Sequence, residues 1–273
     1  MGFIRQLLAA FTLSLLATPA LAESVNQCDQ PVWQDEFNGS ELDASRWQHV
    51  PGDGCDQGLC GWGNGEEQWY LPDNVSVDNG LLRIVAKRQK HAQRQYTSGK
   101  ISTEGLVAFK YGRIEARMKL PMGEGYWPAF WSMPANSDKQ WPLDGEIDIL
   151  ENSGHTPERV LGAIHFGKTW PNNVHYSESI LAPKKWGNDF HVFGVNWNKE
   201  EIRWYVDDKE YGVVTPADIA PYPWVFDNKA FYLILNLALG GNLGGEINKA
   251  VLPGELLVDY VRVYSAECSY PSN

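Results

Sequence analysis

At 273 residues, 43% of them hydrophobic, the chain can bury a large core. Its 23 basic and 34 acidic side chains leave a formal charge of −11, which argues against nucleic acid, anionic lipid or a sulfated polymer as partner and for a neutral one.

In chain order, Met1 to Ala22 comes first, with Arg5, an apolar run from Leu7 to Leu16, and the small residues of Ala20-Leu21-Ala22. This is the pattern of a secretory signal peptide cleaved after about Ala22, and the run is short of the ~20 apolar residues a membrane span takes. The expectation is a secreted or periplasmic protein with no membrane association and a mature charge of 22 − 34 = −12. No linker, repeat or charge run follows, so residues 23–273 are expected to form a single catalytic domain, acting as a monomer. Export permits disulfides, and Cys28, Cys55, Cys60 and Cys268 allow three pairings. Cys55 with Cys60, closing a short loop, and Cys28 with Cys268, tying the ends, are favoured; a zinc site is the rival, but the cysteines lack paired ligand spacing.

Short strand candidates recur between Gly, Pro, Asn and Asp clusters: Trp33–Phe37, Val75–Val77, Leu81–Lys87, Gly112–Leu120, Tyr126–Met133, Glu146–Glu151, Val160–Phe166, His191–Trp197, Ile202–Val206, Phe231–Leu237 and Leu256–Tyr264. That cadence predicts an all-β fold. Tyr111–Leu120 alternates most clearly, with Tyr111, Arg113, Glu115, Arg117 and Lys119 on a wet face and Ile114, Ala116, Met118 and Leu120 on an apolar one. Two sheets stacked through such faces make an antiparallel β-sandwich, and its jelly-roll form leaves a concave outer face. Phe231–Ala238 is apolar on both faces except at Asn236, either a satisfied structural group or a ligand to substrate. Twelve Trp and twelve Tyr exceed what a core requires. About half the tryptophans are expected inside, the rest offering flat faces of the kind that receive sugar rings.

The stretch Gly145-Glu146-Ile147-Asp148-Ile149-Leu150-Glu151 holds three carboxylates in an otherwise apolar strand. Period two puts Glu146 and Asp148 on one face, and Glu151 joins them only through a β-bulge at Ile149 or Leu150. A solvated acidic edge strand is the plainer alternative. A calcium loop is another, but it needs an irregular Gly-containing turn. Paired glutamates flanking a bond are what glycoside hydrolysis uses, and spacing alone leaves retention and inversion both open.

Glu146-Ile147-Asp148-Ile149-Leu150-Glu151 resembles the bulged signature of glycoside hydrolase family 16, as found in laminarinase-type endo-1,3-β-glucanases. So do Asp35-Glu36-Phe37-Asn38-Gly39, Trp62-Gly63-Asn64-Gly65-Glu66, Tyr111-Gly112-Arg113-Ile114-Glu115, Trp127-Pro128-Ala129-Phe130-Trp131 and Asp259-Tyr260-Val261-Arg262-Val263-Tyr264. The resemblance implies a jelly roll with a substrate cleft, and a retaining hydrolase of internal β-1,3 bonds in laminarin-like glucans. In it Glu146 is nucleophile, Glu151 acid/base and Asp148 an assisting residue. It implies sugar contacts at Asn64, Lys100, Arg113, Trp131, Trp141, His165 and Asn236, with Trp127 adding stacking area beside Trp131. No cofactor is implied for catalysis; a structural calcium is, at Glu36, Gly80 and Asp259. Lys100 stands where many relatives resemble one another in having Arg, and Ala238 where lichenases have Trp. Action on agar, carrageenan or mixed-linkage glucan, or glucan binding without catalysis, are the alternatives.

Overall fold

Alternation becomes strand over most of the chain in the computed structural model, which describes Gly2, Cys28 and residues 30–182 and 186–268. Apart from Gly2, the expected signal peptide and its cleavage point lie outside the described residues. The strands are β1 (Trp33–Asp35), β2 (Gln48–His49), β3 (Gln68–Tyr70), β4 (Val75–Asp78), β5 (Leu81–Ala86), β6 (Tyr96–Ser98), β7 (Lys100–Ser102) and β8 (Gly112–Lys119). They continue with β9 (Tyr126–Pro134), β10 (Glu146–Asn152), β11 (Arg159–Phe166), β12 (Val174–Leu181), β13 (His191–Trp197), β14 (Ile202–Val206), β15 (Lys209–Val214), β16 (Phe231–Leu239) and β17 (Gly254–Tyr264). One short α-helix, α1 (Gly241–Gly244), follows β16.

Two antiparallel sheets result, as the all-β sandwich expectation required. One orders β15-β14-β13-β8-β17-β5-β4 with β1 added on β17, and the other orders β12-β11-β10-β9-β16-β7-β2. Their inner faces meet in one core that draws Ile114, Ala116 and Met118 of β8 against Phe130, Leu150, Ile164 and Leu235 of the other sheet. The alternation over 111–120 therefore holds on its apolar side. Its polar side is less wet than expected: Glu115 is buried, accepts from the Tyr205 hydroxyl at 2.8 Å, and lies 3.4 Å from Arg113 Nε.

The sandwich holds β10 from behind. Trp204 of β14 is fully buried and donates from Nε1 to the main-chain oxygen of Asp148 at 2.8 Å. Its indole occupies the space beside Gly162 of β11, where any Cβ would collide with it. Five of the twelve tryptophans are buried, Trp47, Trp127, Trp186, Trp197 and Trp204, close to the expected half.

Both favoured disulfides are present, Cys28–Cys268 and Cys55–Cys60. Among the described residues no helix is long and apolar enough to cross a membrane.

Candidate active site

β10 lies between β9 and β11. Against β9 its register runs Ile147↔Ser132 and Asp148↔Trp131, then Leu150↔Phe130 and Glu151↔Ala129, so Ile149 is the extra residue. A one-residue shift toward β11 falls between Asp148 and Glu151. Ile147, Ile149 and Leu150 all enter the core, at 1% exposure or less. The bulge absorbs the broken alternation by sending two consecutive apolar residues inward, which leaves Glu151 on the face of Glu146 and Asp148.

Each glutamate is held by an indole. Trp141 Nε1 donates to Glu146 Oε2 at 2.5 Å, and Trp127 Nε1 donates to Glu151 Oε1 at 2.9 Å. His165, opposite Glu146 in the ladder with β11, places Nε2 3.2 Å from Asp148 Oδ2, a charge contact more than an aligned hydrogen bond. The Trp141 and His165 rings also touch, with centroids 5.5 Å apart.

Burial and the neighbouring Asp148 charge push both Glu146 and Glu151 up to about 8. Burial opposes the charge on His165, but contact with Asp148 and the fields of both glutamates outweigh it and raise the imidazole to about 9. The surroundings of the two glutamates still differ. The His165 charge favours the anion at both and ranks higher among the influences on Glu146, while the Glu66 charge opposes it at Glu151. The Glu151 charge in turn opposes the anion at Glu146, and both carboxyls are raised alike, so it is position along the strand, not titration, that tells the two apart.

β16 and β7 extend the same face. Asn236 pairs with Ala129 on one side and Lys100 on the other. Its Oδ1 accepts from Trp131 Nε1 at 2.7 Å and its Nδ2 donates to the Tyr70 hydroxyl at 3.2 Å. Tyr70 donates in turn to Glu66 at 2.9 Å. Lys100 is buried with Nζ 3.9 Å from the Trp62 ring centre and 5.0 Å from that of Trp131. Burial lowers it to about 8 against the opposing pull of Glu66, Glu146 and Glu104. Asn64 follows on the loop that carries Trp62, and its carbonyl accepts from Asn242 N at 2.9 Å.

The structure thus brings Glu146, Asp148, Glu151, Trp127, Trp131, Trp141, His165, Lys100 and Asn236 to one face, with Asn64 on an adjoining loop. Arg113 is a correction. It lies on β8 in the other sheet, 3.6 Å over the Tyr264 ring and beside Glu115. Alternation identified its polar face, but a polar face on the second sheet points away from the carboxylates. Trp127 is a second correction. It is buried to 8% exposure with its edge committed to Glu151, so it orients the carboxyl and offers little stacking area. Trp62, Tyr70 and Glu66 join the site although the sequence marks none of them as a contact; the run Trp62-Gly63-Asn64-Gly65-Glu66 sits on a loop pinned by Cys55–Cys60 and by Arg94, which donates to Asp53 at 2.9 Å and to the Glu66 carbonyl at 3.0 Å.

The family model described as glycosyl hydrolases family 16 matches residues 65–261, most of the chain and all of this site but Trp62 and Asn64. The chain belongs to glycosyl hydrolases family 16. It is 38% identical to a beta-glucanase of Rhodothermus marinus over 93% of each protein. It is 41% identical to glucan endo-1,3-beta-glucosidase A1 of Niallia circulans over 86% of this chain, though it spans only 38% of that longer protein. The solved endo-beta-1,3-glucanase of Pyrococcus furiosus superposes with a TM-score of 0.81 at 40% identity, covering 86% of this chain and 94% of that one. Membership makes the protein a glycoside hydrolase and its fold a family 16 sandwich.

The side chains expected to hold calcium do not fit an ion as they stand. Glu36 is forked by Arg262 at 2.7 and 2.8 Å, and Asp259 accepts from Arg117 at 2.6 Å. Main chain is the better donor there: a bulge between Val258 and Tyr260 takes Asp259 out of its ladder with β8, and Gly80 turns with φ 74°.

Proposed function

We propose that this family 16 hydrolase is an exported, retaining endo-β-1,3-glucanase acting on laminarin-like glucans. The observation that carries this is the bulge at Ile149, which gathers Glu146, Asp148 and Glu151 on one face with an indole N–H on each glutamate. The relatives' names supply the bond, and the disulfides support an oxidising compartment.

In the first step the Glu146 carboxylate attacks the anomeric carbon as the bond to the leaving sugar breaks, and Glu151 gives its proton to the departing oxygen. In the second, Glu151 takes a proton from water, the water oxygen attacks the same carbon, and Glu146 is released. Asp148 and His165 hold the field between the two acids. Trp131, Lys100 and Asn236 form the neighbouring sugar-binding surface, and Asn64 its rim. Ala238, paired with Trp127, presents no large side chain of its own, which weighs against mixed-linkage glucan as principal substrate.

Laminarin, lichenan and agarose digested in parallel should give oligosaccharides chiefly from laminarin, and the first products seen by proton NMR should carry the β anomer. Cleavage of agarose or lichenan with laminarin left intact would overturn the substrate, and α-anomeric first products would overturn the mechanism.

We also propose that a structural calcium binds main-chain oxygens at Glu36, Gly80 and Asp259. Thermal unfolding should then rise by several degrees on adding calcium to chelator-treated protein, and an unchanged midpoint would reject the site.

A further inference from the structure

A cavity of about 660 Å³ opens beside the catalytic strand on the Glu146 side, well within the range of small-ligand pockets. Its floor continues the row that holds the carboxylates. Glu146 and Met133 both lie one step beyond the Ile147↔Ser132 pair, and Met133 pairs with Tyr232; Met133 and Tyr232 line the cavity. Trp141 lines it too, while its Nε1 is bonded to Glu146 and its ring rests near His165. One indole therefore touches both the reacting centre and the cavity. The far wall is the segment from Glu104 to Ala108 after β7.

The chemistry of the lining selects the occupant. Asp144, nearly fully buried, is matched by Lys139 Nζ at 2.5 Å and Lys229 Nζ at 3.5 Å, and accepts from Ser137 at 2.8 Å. Those two lysines are engaged with this buried acid, and the other acid in the wall, Glu104, would repel an anion. The Tyr232 phenol is engaged by Glu104, and what is left is the Trp141 indole, the Asn136 and Gln140 amides and the apolar Leu106, Val107 and Met133, which together suit a neutral polyhydroxylated ring.

We infer that this cavity accepts a glycosyl side branch of the glucan, carried by a sugar unit bound near Glu146, so that the enzyme cleaves beside branch points. The inference rests on the proposed β-1,3-glucanase activity and goes further, to how the backbone is decorated. A main chain lying across Glu146, Asp148 and Glu151 would pass beside the cavity, and a single 6-linked glucosyl substituent projecting from it is the branch we assign to this space.

The test compares kcat/KM on linear β-1,3-gluco-oligosaccharides with the same backbone bearing one 6-linked glucosyl branch, for the intact protein and for two variants that fill the cavity from different walls, Ala108→Trp and Ala135→Phe. Neither residue touches the carboxylates, and activity on the linear substrate reports folding. Filling the space should lower kcat/KM on the branched substrate by about tenfold or more and leave the linear substrate within about twofold. If both variants keep the unmodified ratio of branched to linear activity, or the intact protein refuses branched substrate while cleaving linear, the branch site is wrong. Failure to cleave either substrate would instead reject the underlying β-1,3-glucanase reading. Should Ala108→Trp lose both activities, Ala135→Phe decides.

Discussion

Glu146→Gln and Glu151→Gln should each lower kcat/KM on laminarin by about a thousandfold or more, with the near-UV circular dichroism of the folded protein retained. Both side chains are isosteric with glutamate, and each keeps an indole N–H partner, Trp141 for the first and Trp127 for the second. The loss is therefore chemical. The two roles separate under rescue by azide. With Glu146→Ala, azide attacks the anomeric carbon from the vacated side and gives the α-glycosyl azide. With Glu151→Ala the covalent intermediate on Glu146 is intercepted instead, giving the β-azide. Substantial turnover by either Gln variant, or azide products of the opposite configuration, would remove the assignment of nucleophile and acid.

The same Gln variants should be more stable than the unmodified protein at pH 8. Burial and Asp148 raise both glutamates from the ordinary 4.5 to about 8 in the folded state. Between these values the folded protein holds more protons than the unfolded chain, so its stability falls as pH rises. These groups impose no penalty below about pH 4.5, and the penalty is fully developed above about pH 8. Replacing either acid with a neutral amide removes part of it, on the order of 2 kcal/mol at pH 8. Urea unfolding at pH 8 and pH 4 should show a gain at the first and none at the second. Equal gains at both pH values would mean that packing, not charge, separates the variants.

Much of this site was legible because its irregularity was countable. Glu151 falls on the wrong face under strict alternation, and one inserted residue is the only economical repair; the register at Ile149 supplies it. The core strands were legible for the related reason that apolar faces repeat at period two. β12 escaped because it is an edge strand with His175, Ser177 and Ser179 on an exposed face, which leaves too little apolar signal. β15, another edge strand, is mostly exposed or half-buried and carries the same weak signal, and the three-residue β3 and β6 pair in parallel across distant sequence. Arg113 shows the deeper limit. Alternation tells which face of a strand a residue occupies but not which of two sheets the strand joins, and the polar face of β8 belongs to the sheet without the carboxylates. Trp62, Tyr70 and Glu66 depend on contacts to Lys100 and Asn236 that no local pattern encodes.

The position of β17 governs when the protein can fold. It is the last strand among the described residues, yet it lies within the sheet that backs the site, pairing with β1, β5 and β8. That sheet cannot close around its middle until residue 264 has emerged, and pairings this distant in sequence form slowly. A chain built this way completes this sheet only late in synthesis. It also exposes unpaired edges of β8 and β5 for as long as β17 is missing, and a ribosome stalled short of that strand would leave an aggregation-prone half-sandwich with the carboxylates of β10 already made but unsupported.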